Sequence, residues 1–311
     1  MHPAFSVIFF TVLSGAGFGL FALLYLADLF KLGGGMPGAH VFWTGVLAIV
    51  MVGVGLLSST LHLANPKNAW RAFSRWRTSW LSREGVLSLA FYPFALIYLA
   101  LYWLDIWPVA RHLSGALATL IAWMTIFSTA MIYASLKTIR QWNTPLVPAA
   151  YLSLGHFSGG MILLVVAMMA KVDVMPYVLM SLFQLFVAAF VKMIYFYWIT
   201  RIGVGSTINT ATGFTRAQVR LLDAGHTHGT FLTQEFGYQV PRMRASGLKV
   251  ISMMLAFGLP VLLLGLALKQ ANLALSMAAL LSVFAGLVAE RWLFFAEARH
   301  VVNLFHGSQR C

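Results

Sequence analysis

Eight long apolar runs set the limits on what this chain can become. They occupy about residues 5–30, 40–64, 84–104, 112–137, 148–170, 175–199, 248–268 and 272–297 of 311. Each approaches or exceeds the roughly 20 residues a helix needs to cross a bilayer. Inside the hydrocarbon, backbone amides must pair within their own segment or within a closed barrel. These runs are too long and too continuously apolar for barrel strands, so the fold class expected is all-α, a polytopic membrane protein with eight transmembrane helices. Pro260, inside the seventh run, is expected to bend its helix. Composition agrees, with 60% apolar and 9% charged residues, whereas a soluble protein carries about 25% charged residues. The first run follows Met1-His2-Pro3-Ala4-Phe5 without the basic region of a signal peptide, and reads as a retained spanning helix.

The net charge of +13 is that of a nucleic-acid binder at first sight, but the basic residues lie in the connections between apolar runs. With eight spans, both termini share a side with loops two, four and six. That side carries Lys67, Arg71, Arg75, Arg77, Arg83, Lys137, Arg140, Arg201, Arg216, Arg220, Arg242, Arg244, Lys249, Arg299 and Arg310, against Lys31, Arg111, Lys171 and Lys269 on the other. The positive-inside bias therefore predicts cytoplasmic termini and no nucleic-acid partner. The chain reads as one membrane domain, 1–311, with two long cytoplasmic loops, 65–83 and 200–247. Loop 200–247 is too rich in aliphatic and aromatic residues for disorder and reads as an ordered cap on the bundle or a partner surface.

Candidate chemistry gathers at loop two. His62 closes the second run and Glu84 opens the third. Ser82 is placed to cap that third helix, and an acid in a first helical turn is favoured by the helix dipole alone. As a pair at interfacial depth, however, an imidazole and a carboxylate suit the proton transfers that accompany quinone reduction or quinol oxidation. His2 is expected on the same face. Trp70, Trp76 and Trp80 suit an interfacial aromatic belt, and one of them suits the border of a quinone ring. Small residues at Ser14, Gly15, Gly17 and Gly19, and at Gly155 and Gly159, suit close helix contact or the approach of a flat ligand.

Other chemistries find less support. His226, His228 and Glu235 lack a third histidine or cysteine nearby, so no metal site is expected. His156 lies inside the fifth run, but no two spans offer a centred histidine pair, so haem is not expected. The single cysteine, Cys311, leaves no thiolate set for an iron–sulfur cluster of the chain's own. Asp28, Lys192, Glu290 and Arg291 lie within a turn or two of helix ends, where long side chains reach the interface. They form no ion row at the midplane, which counts against a transporter.

The stretches His2-Pro3-Ala4-Phe5-Ser6, Ser14-Gly15-Ala16-Gly17, His62-Leu63-Ala64-Asn65-Pro66, Ser82-Arg83-Glu84 and Leu232-Thr233-Gln234-Glu235-Phe236-Gly237 resemble the membrane-anchor subunits of dimethyl-sulfoxide-reductase-type molybdoenzymes over the whole chain. Around Gly225–Tyr238 the likeness is to the anchors of cytoplasmic sulfite dehydrogenases. The resemblance implies an inner-membrane anchor without a redox centre, exchanging electrons between quinone and a four-cluster iron–sulfur subunit. That subunit in turn serves a catalytic subunit with molybdenum bis-guanine-dinucleotide. It implies catalytic roles for His62 and Glu84, with His2, Ser14, Gly17, His62, Arg71, Trp80, Arg83 and Glu84 expected around the quinone. The bundle would then reduce quinone with electrons from sulfite. The competing expectations are a quinol-oxidising anchor of a sulfoxide reductase and a non-redox transporter.

Overall fold

The computed structural model describes the chain apart from residues 1, 62–64, 204, 224, 226, 231, 238–241 and 271, and the side chains of 66, 234, 242, 243, 269 and 270. His62 and His226 thus lie outside the described residues. Six spanning helices come first: α1 (Phe5–Leu29), α2 (Gly38–Thr60), α3 (Trp80–Leu104), α4 (Pro108–Ala134), α5 (Leu146–Met169) and α6 (Met175–Arg201). The short α7 (Ile208–Thr212) lies in loop six. The seventh span, Arg244–Leu268, combines most of α8 (Arg242–Met253), a π-helical turn at Met254–Gly258 and most of α9 (Leu259–Gln270), and α10 (Leu273–Ala296) is the eighth. The eight predicted spans are therefore present, in an all-α bundle.

α1 is the central post. Within its most apolar window 78% of residues are buried, against 33% for α2, α3, α6 and α10. Its glycines explain how a helix can be so enclosed. A methyl group at Gly19 would overlap the Gly155 carbonyl oxygen, and one at Gly159 would overlap the Leu20 amide, so α1 and α5 cross backbone to backbone. On another side, Phe18 and Phe21 each meet the Phe91 ring edge to face at 5.0 Å, joining α1 to α3. Gly19→Ala should therefore cost about 1–3 kcal/mol by overpacking, lowering the thermal midpoint of the detergent-solubilised protein. Gly265→Ala, where a methyl group meets open space, is the control that should leave the midpoint near its parental value.

Three sequence expectations need correction. α3 begins at Trp80, with Ser79 as its cap: the Ser79 hydroxyl accepts from the Ser82 amide at 3.4 Å. This sets Glu84 in the second turn and turns it inward. Pro260 does not simply bend its span. The π turn ends just before it, and the Leu255 carbonyl accepts instead from the Ser282 hydroxyl of α10 at 2.7 Å. Finally, Lys192, Glu290 and Arg291 do not reach for the interface. All three are buried, with Glu290 ion-paired to both cations. Asp28 is buried too, accepting from Tyr98 at 3.0 Å, from Tyr102 at 3.3 Å and from Lys31 at 3.0 Å.

The connections sort onto two faces. The His2 amide donates to the Glu235 carbonyl at 2.7 Å, and Val301 donates to Thr138 at 3.2 Å. Gly205 and Cys311, and Ile208 and Gln309, are joined at 3.1 Å each. The N-terminus, loop four, loop six and the tail thus share one face. On the other, Asp173 donates to Gly33 at 3.3 Å and Tyr177 to Leu32 at 3.0 Å.

Candidate quinone site

A cavity of about 860 Å³ opens between α3, α4 and α5. Its outer end is walled by Trp76, Trp80 and Arg83, and its inner end by Trp123 and His156. His156 is ten residues into α5, so the cavity reaches about 15 Å into the bundle at 1.5 Å per residue. Its walls are mostly apolar and aromatic, including Leu87, Met124 and Phe127, with few polar groups. That composition suits a flat, lipid-soluble ligand.

Arg83 and His156 are each held in place by neighbouring groups. Arg83 lies 4.1 Å over the Trp80 ring. Its Nε donates to the Trp76 carbonyl at 3.0 Å and its Nη2 to that of Arg77 at 2.7 Å. The guanidinium thereby folds the end of loop two over the cavity mouth. Deeper in, the Trp123 indole N–H donates to His156 Nε2 at 2.7 Å. Indole is only a donor, so Nε2 must accept and Nδ1 carries the proton. Nδ1 donates that proton to the Leu152 carbonyl at 2.7 Å. The imidazole is therefore neutral and fixed in orientation.

Glu84 stands just behind the cavity wall. Buried between α3 and α4, its Oε1 lies 2.5 Å from Thr129 Oγ1, and Ser128, the neighbour of Thr129, lines the cavity. The Thr129 hydroxyl also lies 3.0 Å from the Thr125 carbonyl. One hydroxyl proton cannot serve both acceptors. It goes to a charged Glu84, or it turns to Thr125 while a protonated Glu84 donates to Thr129. The geometry accommodates both charge states of the acid, as a proton-exchanging group requires.

Of the residues expected from the sequence, Trp80 and Arg83 line the cavity and Glu84 backs it. The others lie elsewhere. His2 is exposed on the cap, and Arg71 lies on the Pro66–Arg75 3₁₀ segment, 5.8 Å from the Trp70 ring. Ser14 is buried in α1 and donates to its own Phe10 carbonyl at 2.6 Å. Gly17 faces α2, where a methyl group would lie 2.8 Å from the Ala48 carbonyl. Sequence reasoning missed Trp123 and Thr129, and weighed His156 only as a haem ligand. The one available signal was the set of hydroxyls at Thr119, Thr125, Ser128 and Thr129 within one apolar run.

Among the described residues no group of three or more potential metal ligands comes together. The walls do fit a quinone: indole and phenyl faces for its ring, and Ser128 and Arg83 within the lining for its oxygens. The chain matches the family described as DMSO reductase anchor subunit (DmsC) over residues 1–297. It is also similar to a sulfite dehydrogenase subunit of Allochromatium vinosum, with 34% identity over 325 residues, covering 99% of each chain.

Proposed function

The chain belongs to the DMSO reductase anchor subunit (DmsC) family, and on that premise we propose that it holds quinone against α3, α4 and α5 as the membrane anchor of a sulfite-oxidising molybdenum and iron–sulfur complex. The observation that carries the quinone reading is the aromatic cavity with a buried carboxylate hydrogen-bonded to Thr129, the residue next to the wall residue Ser128. The sulfite assignment rests on the full-length likeness to a sulfite dehydrogenase subunit.

A quinone, when bound, takes up two electrons and two protons. The chain's part is to position and to supply protons. Trp80, Phe127 and Trp123 would flank the ring, and Ser128 with the free edge of Arg83 would offer hydrogen bonds to its oxygens. Glu84 supplies protons through Thr129. His62, outside the described residues and two positions after the last residue of α2, is proposed as a further proton-exchanging group on the family resemblance alone. The basic segment 65–83 and the cap formed by loop six with the tail together present the surface for the iron–sulfur partner. Electrons enter there, and the molybdenum subunit sits beyond. We place that face, with both termini, in the cytoplasm, following the charge bias of the loops.

Purifying the tagged chain from its native membrane tests this directly. An iron–sulfur and a molybdenum subunit should accompany it, and sulfite should reduce decylubiquinone in the preparation. A reporter fused after residue 220 should read as cytoplasmic. A periplasmic reporter would overturn the sulfite assignment. The family's own description names a reductase, and for that second reading decylubiquinol oxidation by a sulfoxide would replace sulfite-driven reduction.

A further inference from the structure

The cavity leaves unexplained the most costly feature of the bundle, a buried ionic cluster inside the spans. Charged groups within a membrane protein's interior are rare and mark proton or ion pathways. Here Lys192 of α6 and Arg291 of α10 share a single carboxylate, Glu290, with Arg291 Nη2 donating to Glu290 Oε1 at 2.8 Å. Two cations on one anion leave a net positive charge in the bundle, so the cluster reaches neutrality when Lys192 gives up a proton.

The cluster is not isolated. Toward the quinone cavity, the Arg291 guanidinium lies 4.3 Å from the Tyr151 ring. Tyr151 stacks on Tyr133 at 5.8 Å with an interplanar angle of 25°. Tyr133 is one helical turn after Thr129, the partner of Glu84. In the other direction, Lys192 lies 4.6 Å from the Phe196 ring, and Lys249 lies 5.4 Å from the same ring. Lys249 in turn pairs with Glu297 at 2.6 Å, where α8 and α10 reach the face that carries loop six.

Two buried oxygens mark where water completes this line. The Tyr151 hydroxyl is buried and makes no hydrogen bond of normal length and angle, with Arg291 and Tyr133 as polar neighbours. Beside it is a 30 Å³ cavity lined by Thr11, Tyr151, Ser158 and Arg291, larger than the 10–15 Å³ or so that a water molecule needs. At the opposite end, Glu297 Oε2 is buried without a partner. Two separate buried acceptors, one at a cavity of the right size, are the signature of internal water.

We propose that Tyr151, the Lys192–Glu290–Arg291 cluster and the Lys249–Glu297 pair form a hydrated proton relay that reloads Glu84 from the rim beneath loop six. Each proton that leaves Glu84 for a quinone oxygen is replaced by one from water at that rim, while the electrons come from the iron–sulfur partner. Arg291 stays charged and orients the water beside Tyr151; Lys192 and Glu290 exchange the proton.

The relay rests on the quinone reading, so its test carries a variant for each. In the assembled complex, sulfite-driven reduction of decylubiquinone is measured in H₂O and D₂O for the parent, Tyr151→Phe, Glu297→Gln and Glu84→Gln. Tyr151→Phe keeps the ring contacts and removes only the hydroxyl; Glu297→Gln lies at the rim, where folding is least at risk. Both relay variants should slow quinone reduction about tenfold and raise the solvent isotope effect, while dye-linked sulfite oxidation by the same complex stays at the parental rate. A merely structural role would leave the isotope effect unmoved. If Glu84→Gln stops turnover while Tyr151→Phe and Glu297→Gln keep the parent's rate and isotope effect, the relay is overturned and the quinone site stands. If Glu84→Gln itself keeps the parent's rate, both fall together.

Discussion

Glu84→Gln is expected to lower quinone-linked turnover by about 10²–10⁴-fold, the range a positioned proton-transfer group contributes. The substitution is isosteric and retains an oxygen for the Thr129 hydroxyl now 2.5 Å away, so α3 and α4 should pack as before. What disappears is the capacity to carry a proton. The measurement is decylubiquinone reduction by the assembled complex, set against reduction of a soluble dye by its partner subunits. Dye activity and subunit stoichiometry should match the parent. Unchanged quinone turnover would move the proton donor away from the α3–α4 interface.

The largest loss of stability should follow Glu290→Leu. Leucine removes the only carboxylate facing Lys192 and Arg291 among the described contacts, leaving two cations deep in the bundle. Breaking a buried pair in this way costs about 3–5 kcal/mol, because the charge left behind is neither solvated nor paired. The protein should then be scarce in the membrane fraction, as read by immunoblot, and its thermal midpoint should fall clearly below the parent's. Adding Lys192→Met removes one of the stranded cations and should restore part of the loss. A parental midpoint for Glu290→Leu alone would mean that water reaches these cations freely.

The spans were legible because hydrocarbon admits so few backbone arrangements. Length and continuous apolarity identify a crossing helix without any knowledge of its neighbours, and all eight followed. Ends were less so. α3 starts four residues before the expected 84 because Ser79, not Ser82, caps it, and a polar loop with several serines offers more than one competent cap. The interior was hardest. Lys192 lies about 100 residues before Glu290 and Arg291 in the chain, and nothing local says that α6 and α10 turn them toward one another. The same holds for the cavity. Arg83 and Trp80 were accessible to reasoning from a basic, Trp-rich loop, but Trp123 and His156 meet only through the crossing of α4 and α5.

The enclosure of α1 bears on the order in which the bundle is made. Its main burial partners beyond α2, namely α4, α5 and α10, are all synthesised after it, so this helix must first stand alone in lipid. It is equipped to wait there. The hydroxyls of Thr11 and Ser14 donate to the Ile8 and Phe10 carbonyls of the same helix, which satisfies both before any partner helix arrives. Near its far end, Tyr25 and Asp28 find their partners later, the His112 carbonyl of α4 for Tyr25 and Lys31 with the tyrosines of α3 for Asp28. Nascent α1 should therefore persist as a free lipid-facing rod, and its bare glycines become a lock only when α5 emerges to close on them.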